Sequence, residues 1–294
     1  MYKKAYGLIK TLAPLHVGAT AGEEAGNLNL IFRDPFLQTG IIPGSSLRGR
    51  LRAETRLDKG TEEENYWYGD DGENEEKKTG ESRVKFEFAS IVWLPVFCPG
   101  QPIVWVSCPR LLKRYQRIAG HHVKCTQKNE DGTDKEILLK DLPVNWDKGG
   151  DMLYRRSPSL KPLKVDDKEK LFFNFGFLEI EGVMENPEPW FPLGNLPAVI
   201  VADDEIGMIH DMALFRQSRV RLEDDVKRVD KGGFFNTEAL PEDTQMVFAV
   251  ALREDAAQPK KTWQPFDESK TGEVFLGGLE SIGFGLCEVT IQEV

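Results

Sequence analysis

The stretch Gly40-Ile41-Ile42-Pro43-Gly44-Ser45-Ser46-Leu47-Arg48-Gly49-Arg50-Leu51-Arg52 constrains the fold more than any other. A short apolar run stops at Pro-Gly, and leucines and arginines then return every two to four residues. That pattern predicts a strand, a tight turn and a helix beginning near Ser45 or Ser46, with a serine capping its first N–H groups. The helix is expected to reach about Leu57. Its start combines open N–H groups, two hydroxyls and the positive end of the helix dipole, with Arg48, Arg50, Arg52 and Arg56 nearby. A phosphate suits such a place. An ordinary capped amphipathic helix with a solvated arginine face fits the local sequence equally, so the rest of the chain has to discriminate.

The formal net charge of −10 argues at first against a polyanionic partner. The charge is segregated, however. Acids crowd the region from Glu62 to Glu76, whereas arginines crowd 48–56 and 216–228, so a basic groove can exist on an acidic protein. With 294 residues the chain can bury a full core. No apolar run approaches the ~20 residues of a membrane helix, and the first residues lack a signal-peptide core, so a cytoplasmic protein with no membrane partner is expected. Cys98, Cys108, Cys125 and Cys287 are too scattered for a disulfide framework. His121, His122 and Cys125 lack a fourth ligand for structural zinc, and no metal site is assigned.

Residues 5–13 suit a first core strand, and His16 and Gly18 then lead into a small, acidic loop. A short strand is expected within 27–34. Residues 58–81 read as an insertion whose Tyr66-Trp67-Tyr68 packs back on the body while its charged part forms a mobile surface loop. Residues 82–89 alternate like a strand, and 91–97 with 102–108 form a hairpin about Pro99-Gly100. Pro109 opens a helix with a largely wet cationic face, and 120–170 read as an insertion of small strands. Ala198 to Val201 suits a strand, followed by a helix from Glu205 to Leu214 capped by an aspartate. Residues 215–235 alternate cations with apolar residues before Gly232-Gly233, which suits a protruding hairpin with one basic face, or simply an edge kept soluble by charge. Glycines 277, 278, 283 and 285 let a backbone approach a ligand closely. They lead into a strand rather than a helix, so they form no dinucleotide fingerprint.

In this order the pieces resemble the RAMP superfamily of CRISPR effector proteins, and more narrowly the repeated backbone subunit of type III, Cmr-like complexes. Four matches carry the resemblance: Thr11 to Gly18, Ile42 to Gly49, Ser82-Arg83-Val84 ahead of the hairpin ending Ser107-Cys108-Pro109, and the glycine pattern from Gly277 to Gly285. It implies an α+β fold with a modified ferredoxin-like, RRM-like core, a single domain over 1–294 with insertions at about 58–81 and 120–170, and a thumb hairpin at about 215–235. It implies partners too: guide RNA, target RNA, other RAMP subunits, and the large and small subunits of the effector. Carried over residue by residue, Ser45, Ser46, Arg48, Arg50 and Arg52 hold guide phosphates with His16 close by. Gly277, Gly278, Gly283 and Gly285 lie against the same backbone. Arg216, Arg219, Arg221, Lys227 and Arg228 belong to a thumb that intercalates between guide and target.

One position departs from the family. Where active subunits carry an aspartate for metal-dependent cleavage, this chain has Asn29, or Asn27 under a one-residue shift. An amide is no base and holds a divalent cation less well than a carboxylate, and Glu23, Glu24 and Asp34 do not fall at the matching place. The pattern fits a naturally non-cleaving paralogue or an Asp→Asn variant. The expected function is a guide-RNA-binding backbone subunit in antiviral defence. The alternative is an endoribonuclease, either a target slicer needing Mg or Mn or a guide-processing enzyme using His16 as acid or base. A histidine in such a loop also has a plain structural use, as a hydrogen-bonding anchor.

Overall fold

The computed structural model describes residues 2–18, 28–70, 80–128, 133–143, 146–148, 151–152, 154–222, 229–254, 261–266 and 269–292. The chain begins with β1 (Tyr2–Thr11), β2 (Leu28–Asn29) and β3 (Ile41–Ile42), followed by helices α1 (Gly44–Lys59) and α2 (Thr61–Tyr68). β4 (Val84–Phe86), β5 (Ala89–Cys98) and β6 (Gln101–Ser107) lead to α3 (Pro109–Ala119). Short strands come next. β7 (Lys124–Lys128) pairs with β8 (Asp134–Leu138), and β9 (Asp147–Lys148) with β10 (Asp151–Met152). After β11 (Arg155–Arg156), β12 (Leu163–Val165), β13 (Lys168–Phe173) and β14 (Gly176–Glu179) form a small sheet. β15 (Gly182–Val183), β16 (Ala198–Ile200) and α4 (Ile206–Ala213) precede a hairpin of β17 (Phe215–Leu222) and β18 (Val229–Ala239). β19 (Gln245–Arg253), β20 (Thr271–Phe275) and β21 (Leu286–Gln292) complete the α+β architecture.

One 11-stranded sheet organises these parts, in the order β15-β11-β16-β6-β5-β19-β1-β21-β20, with β3 added to β5 and β4 to β19. β1 lies between β19 and β21 and pairs antiparallel with both. A strand so enclosed is buried on two faces, which is why its middle, Ala5 to Ile9, is an unbroken apolar run between lysines. Its side chains alternate between two cores. Ala5 and Ile9 join Ile91, Met246 and Phe248 beneath α1, α2 and α4. Tyr6 and Leu8 join Val92, Trp93 and Val247 on the other face, against Leu112, Tyr115 and Ile118 of α3.

Helix α1 starts earlier than its serines suggest. Pro43 occupies the cap, no side chain caps the helix, and the amides of Ser46 and Leu47 reach the Pro43 carbonyl at 3.0 and 3.2 Å. Gly44 is there because of a close approach: a Cβ on it would lie 2.6 Å from the Phe86 carbonyl oxygen. The region expected to be a loop after α1 holds a second helix. α2 has three glutamates in its first turn, where acids complement the dipole. Its Trp67 and Tyr68 are buried as the sequence suggests, while residues 71–79 lie outside the described residues. Tyr68 accepts from Trp263 Nε1 at 3.1 Å, and burial pushes its phenol up to about 12.

Other expectations change in detail. The 82–89 strand is two strands, β4 on β19 and β5, broken at Glu87-Phe88. The hairpin about Pro99-Gly100 forms, with Cys98 opposite Gln101. No side chain caps α4; Asp203 accepts the Arg110 amide at 2.9 Å instead, at the start of α3. Nor is the α3 cationic face simply wet, since Arg114 is half-buried against Ser90, Glu87 and the Phe88 carbonyl. Among the described residues no helix is long and apolar enough to cross a membrane.

The α1–α2 corner depends on a buried charge. Glu64 is 2% exposed and binds Arg52 Nε at 2.5 Å, with Arg56 farther off at 3.8 Å. Removing the carboxylate takes the buried counter-charge away from the Arg52 Nε and leaves a polar gap in the α1–α2 corner. Glu64→Ala is therefore expected to lower the free energy of unfolding by about 3 kcal/mol. Arg56→Ala, at an exposed partner, should change it by less than about 1 kcal/mol. Urea denaturation followed by tryptophan fluorescence compares the two; equal effects would contradict the central role of the Arg52–Glu64 pair.

Candidate nucleic-acid interface

Four distant segments meet at one surface. The chain after β1 runs antiparallel to the residue that follows β18, for the amides of Leu15 and Leu240 each reach the other's carbonyl at 2.9 Å. Phe32 N–H then bonds the Val17 carbonyl at 2.8 Å, and Ile41 N–H bonds the Phe32 carbonyl at 2.9 Å. The loop of His16 is thus knitted through residues 31–33 to β3, whose end launches α1. From the far end of the chain, Gly278 N–H donates to the His16 carbonyl and Gly285 N–H to the Pro14 carbonyl, both at 2.9 Å.

His16 is 8% exposed and its Nδ1 lies 2.7 Å from the Glu238 carbonyl oxygen. A carbonyl only accepts, so Nδ1 carries the proton and Nε2 is left for another partner. Asn29 sits in β2, which pairs parallel with β18 and sets Asn29 beside Thr237, one residue before Glu238. The Glu238 carboxylate is itself buried, and it accepts from Arg33 at 2.9 Å and Arg216 at 3.1 Å. Arg33 also binds Asp211 at 2.5 Å. Behind them His210 Nε2 accepts the Gly40 amide at 2.9 Å. Burial, and then the Arg33 charge, pull the His210 pKa down to about 3. The ring is a neutral fixture that holds the segment leading into β3.

The site residues expected from sequence separate into groups. Ser45 is exposed and Ser46 half-exposed in the first turn of α1, which contains no acid and whose leading amides precede the helical ladder. Arg48, Arg50 and Arg52 turn inward instead: Arg48 donates to the Tyr68 carbonyl at 2.6 Å, Arg50 pairs with Glu54, and Arg52 with Glu64. The 215–239 hairpin forms, but its cations do not share one face. Arg216 stands opposite Glu238 and Arg219 opposite Phe235, an odd number of residues apart, so they point to opposite sides. Arg219 lies over the Phe235 ring at 5.8 Å. Arg221 is described only in its backbone, and Glu23, Glu24, Asn27, Lys227 and Arg228 lie outside the described residues. Gly277 and Gly285 face the 14–16 and 276 backbones, whereas nothing stands near Gly278 or Gly283.

Sequence reasoning missed Arg33, Glu238 and His210. A signal existed for Glu238: an acid in an apolar strand end needs cations, and Arg216 lies directly across the hairpin. Among the described residues no three of His, Cys, Asp and Glu gather as ligands, Asn29 offers only an amide, and Glu238 is taken by two guanidiniums.

The Gly277 position admits a direct test. Its φ is +76°, and a Cβ there would lie 2.1 Å from the His16 carbonyl oxygen, whereas a Cβ on Gly278 meets nothing within 4 Å. Gly277→Ala is expected to destabilise the protein by about 2–4 kcal/mol and Gly278→Ala by less than about 0.5 kcal/mol. Denaturant midpoints of the two variants measure the difference.

The chain can be set beside known proteins. A model of the RAMP superfamily matches residues 8–288. The Pyrococcus furiosus protein named CRISPR system Cmr endoribonuclease Cmr4 is 23% identical over 303 residues, covering 99% of this chain and 97% of its own. The cryo-EM structure of the type III-B Cmr-beta bound to cognate target RNA contains a chain that superposes with a TM-score of 0.70 at 21% identity, covering 98% of this chain and 96% of that one. Oligomeric Cmr4 from Pyrococcus furiosus superposes with a TM-score of 0.66 at 16% identity over the full length of both. Because the family model spans nearly the whole sequence and every motif that meets at the interface, this chain belongs to the RAMP superfamily.

Proposed function

We propose that this chain is a guide-RNA-binding backbone subunit of a type III CRISPR effector complex, which stacks along the guide and helps to bind complementary target RNA. The observation that carries this reading is the hydrogen bonding of the glycine-rich segment to the His16 loop beside β3 and the start of α1. It joins three of the four motifs, Thr11 to Gly18, Ile42 to Gly49 and Gly277 to Gly285, into one surface that suits a sugar–phosphate backbone. The first turn of α1 supplies hydroxyls and dipole for a phosphate. Gly278 and Gly283, with open space where a side chain would stand, admit close backbone contact. His16 Nε2, which the bond to Glu238 leaves open, suits a ribose hydroxyl, a group that both donates and accepts. None of these groups reads a base, as a subunit repeated along arbitrary guides requires. In this reading the core is a modified ferredoxin-like domain with insertions near 58–81 and 120–170, the 215–235 hairpin is its thumb, and other RAMP, large and small subunits are its partners.

The name of the Pyrococcus relative raises cleavage as a second reading. Asn29 argues against it here. Asp34 offers no replacement, because its carboxylate accepts the amides of Phe36 and Leu37 at 2.9 and 2.8 Å and closes a turn. The assembled complex is expected to leave a matched target RNA uncut at this subunit with magnesium or manganese present. Regular cuts that vanish with Glu23→Ala, Glu24→Ala or Asp34→Ala would overturn this.

Binding is tested separately. Ser45→Asp with Ser46→Asp puts two negative charges in the first turn and should weaken single-stranded RNA binding about tenfold or more, whatever the base sequence. Protein that purifies free of RNA and stays unbound when titrated with it at low salt would sink the whole assignment.

A further inference from the structure

A second groove opens beside the same strand that launches α1. It occupies about 470 Å³ between the 34–39 turn, the start of β5 and the exposed face of α3, a size suited to a small ligand or a nucleotide unit. We infer that it is a further RNA contact, in which a base stacks on Phe36 while Arg110 and Arg117 hold the adjoining phosphates. The inference rests on the RNA-binding role proposed above and extends it to residues outside the four motifs.

The Phe36 ring is the most conspicuous feature. It is 75% exposed, yet it stands on a turn closed by the two Asp34 hydrogen bonds, so it is presented in a fixed place. The Arg110 guanidinium sits 4.8 Å from the ring centroid and leaves most of the ring in solvent. A preorganised aromatic face beside a cation is the combination that single-stranded nucleic acids use, because every base has a π-face and every linkage a charge.

Charge in the groove favours an anion. Arg110, Arg114 and Arg117 line it along one face of α3. Arg114 is held by Ser90 Oγ and the Phe88 carbonyl, each at 2.9 Å, and it packs 3.8 Å over the Phe88 ring. Glu87 is the acid that faces both Arg114 and Arg117, one carboxylate for two guanidiniums. The Asp34 carboxylate takes both amides on one oxygen and keeps its charge, so with Glu87 two carboxylates stand against the three guanidiniums that line the groove, while Asp203 meets the Arg110 amide at the helix start. The balance is positive. At the groove wall Thr39 adds a hydroxyl that is buried and has no partner. A protein partner would meet a single aromatic ring ringed by arginines; a ribonucleotide matches ring, cations and hydroxyl together.

The groove also lies where a bound strand can reach it. Ile41 of β3 pairs with Ser90, which lines the groove, and Gly44 at the other end of β3 packs on Phe86 and Glu87 at the groove's edge.

The test is fluorescence anisotropy of the full-length protein with a labelled, mixed-sequence single-stranded RNA, alongside size-exclusion chromatography of the same samples. Phe36→Ala should weaken binding about tenfold and Phe36→Trp should restore it. Arg110→Ala should lower the slope of log affinity against log salt by about one. Ultraviolet crosslinking should attach a nucleotide to the peptide carrying Phe36. Wild-type binding that is unchanged in both alanine variants overturns this inference and leaves the RNA-binding role standing. A wild-type protein that binds no RNA overturns both. A Phe36→Ala variant that loses self-association but keeps its RNA affinity makes the groove a protein contact and overturns the inference alone.

Discussion

The carbonyl oxygen of His16 is the point on which the interface depends. It accepts the Gly278 amide, and the neighbouring Gly277 approaches it so closely that no side chain fits. This contact joins residues more than 250 positions apart, and it is possible only because β1 already lies antiparallel to β21. The sheet fixes where the chain leaves β1, and the glycines fix what lies over it. His16 has little freedom left: its carbonyl is held from one side and its ring from the other, by Glu238. The histidine is first an anchor, and any contact with RNA falls to the one nitrogen that the anchor leaves open.

Two buried acids organise most of the arginines near that surface. Glu64 gathers Arg52 and Arg56 at the α1–α2 corner, and Glu238 gathers Arg33 and Arg216 beneath the hairpin. A buried carboxylate is tolerable only when it is paired and hydrogen-bonded, so these arginines are constrained by folding before any ligand arrives. The cluster at 48–56, and Arg216 of the second cluster, therefore mean less for RNA than their count suggests. The first turn of α1, free of acids, and the α3 groove are where the described surface favours an anion.

Much of this was legible in the residues. Apolar runs placed the core strands β1, β5 and β16, Pro99-Gly100 marked its hairpin, and the repeat of cations and apolar residues marked the β17–β18 pair. The failures have physical causes. Residues 58–81 read as an insertion with packed aromatics and a charged loop, and no helix was expected at 61–68; glycines on both sides and acids in the first turn were the signal. Ser45 and Ser46 were expected to cap α1, but the packing of Gly44 on Phe86 draws the helix start back to Pro43. A strand with one basic face was expected from the alternation of cations and apolar residues, yet Arg216 and Arg219 are three residues apart, and three residues along a strand reverse the side chain. Asp203 shows the same limit: it caps a helix 93 residues upstream instead of the one that follows it. Sequence reveals which groups need partners and leaves the partners to tertiary structure.

The engagement of so many cations bears on how an acidic chain can hold a polyanion. Affinity for a phosphate backbone grows with the number of phosphates neutralised. A single copy with a few anion-favouring positions and a net charge of −10 makes few such contacts, and long-range repulsion works against them. Several copies on one strand change the balance, since each further contact becomes intramolecular and the weak sites multiply in effect. A surface that is weak, indifferent to base sequence and repeated suits a subunit whose grip comes from stacking along a guide. The same arithmetic makes a stronger basic patch unnecessary, and frees the arginines of α1 and β17 to hold the fold.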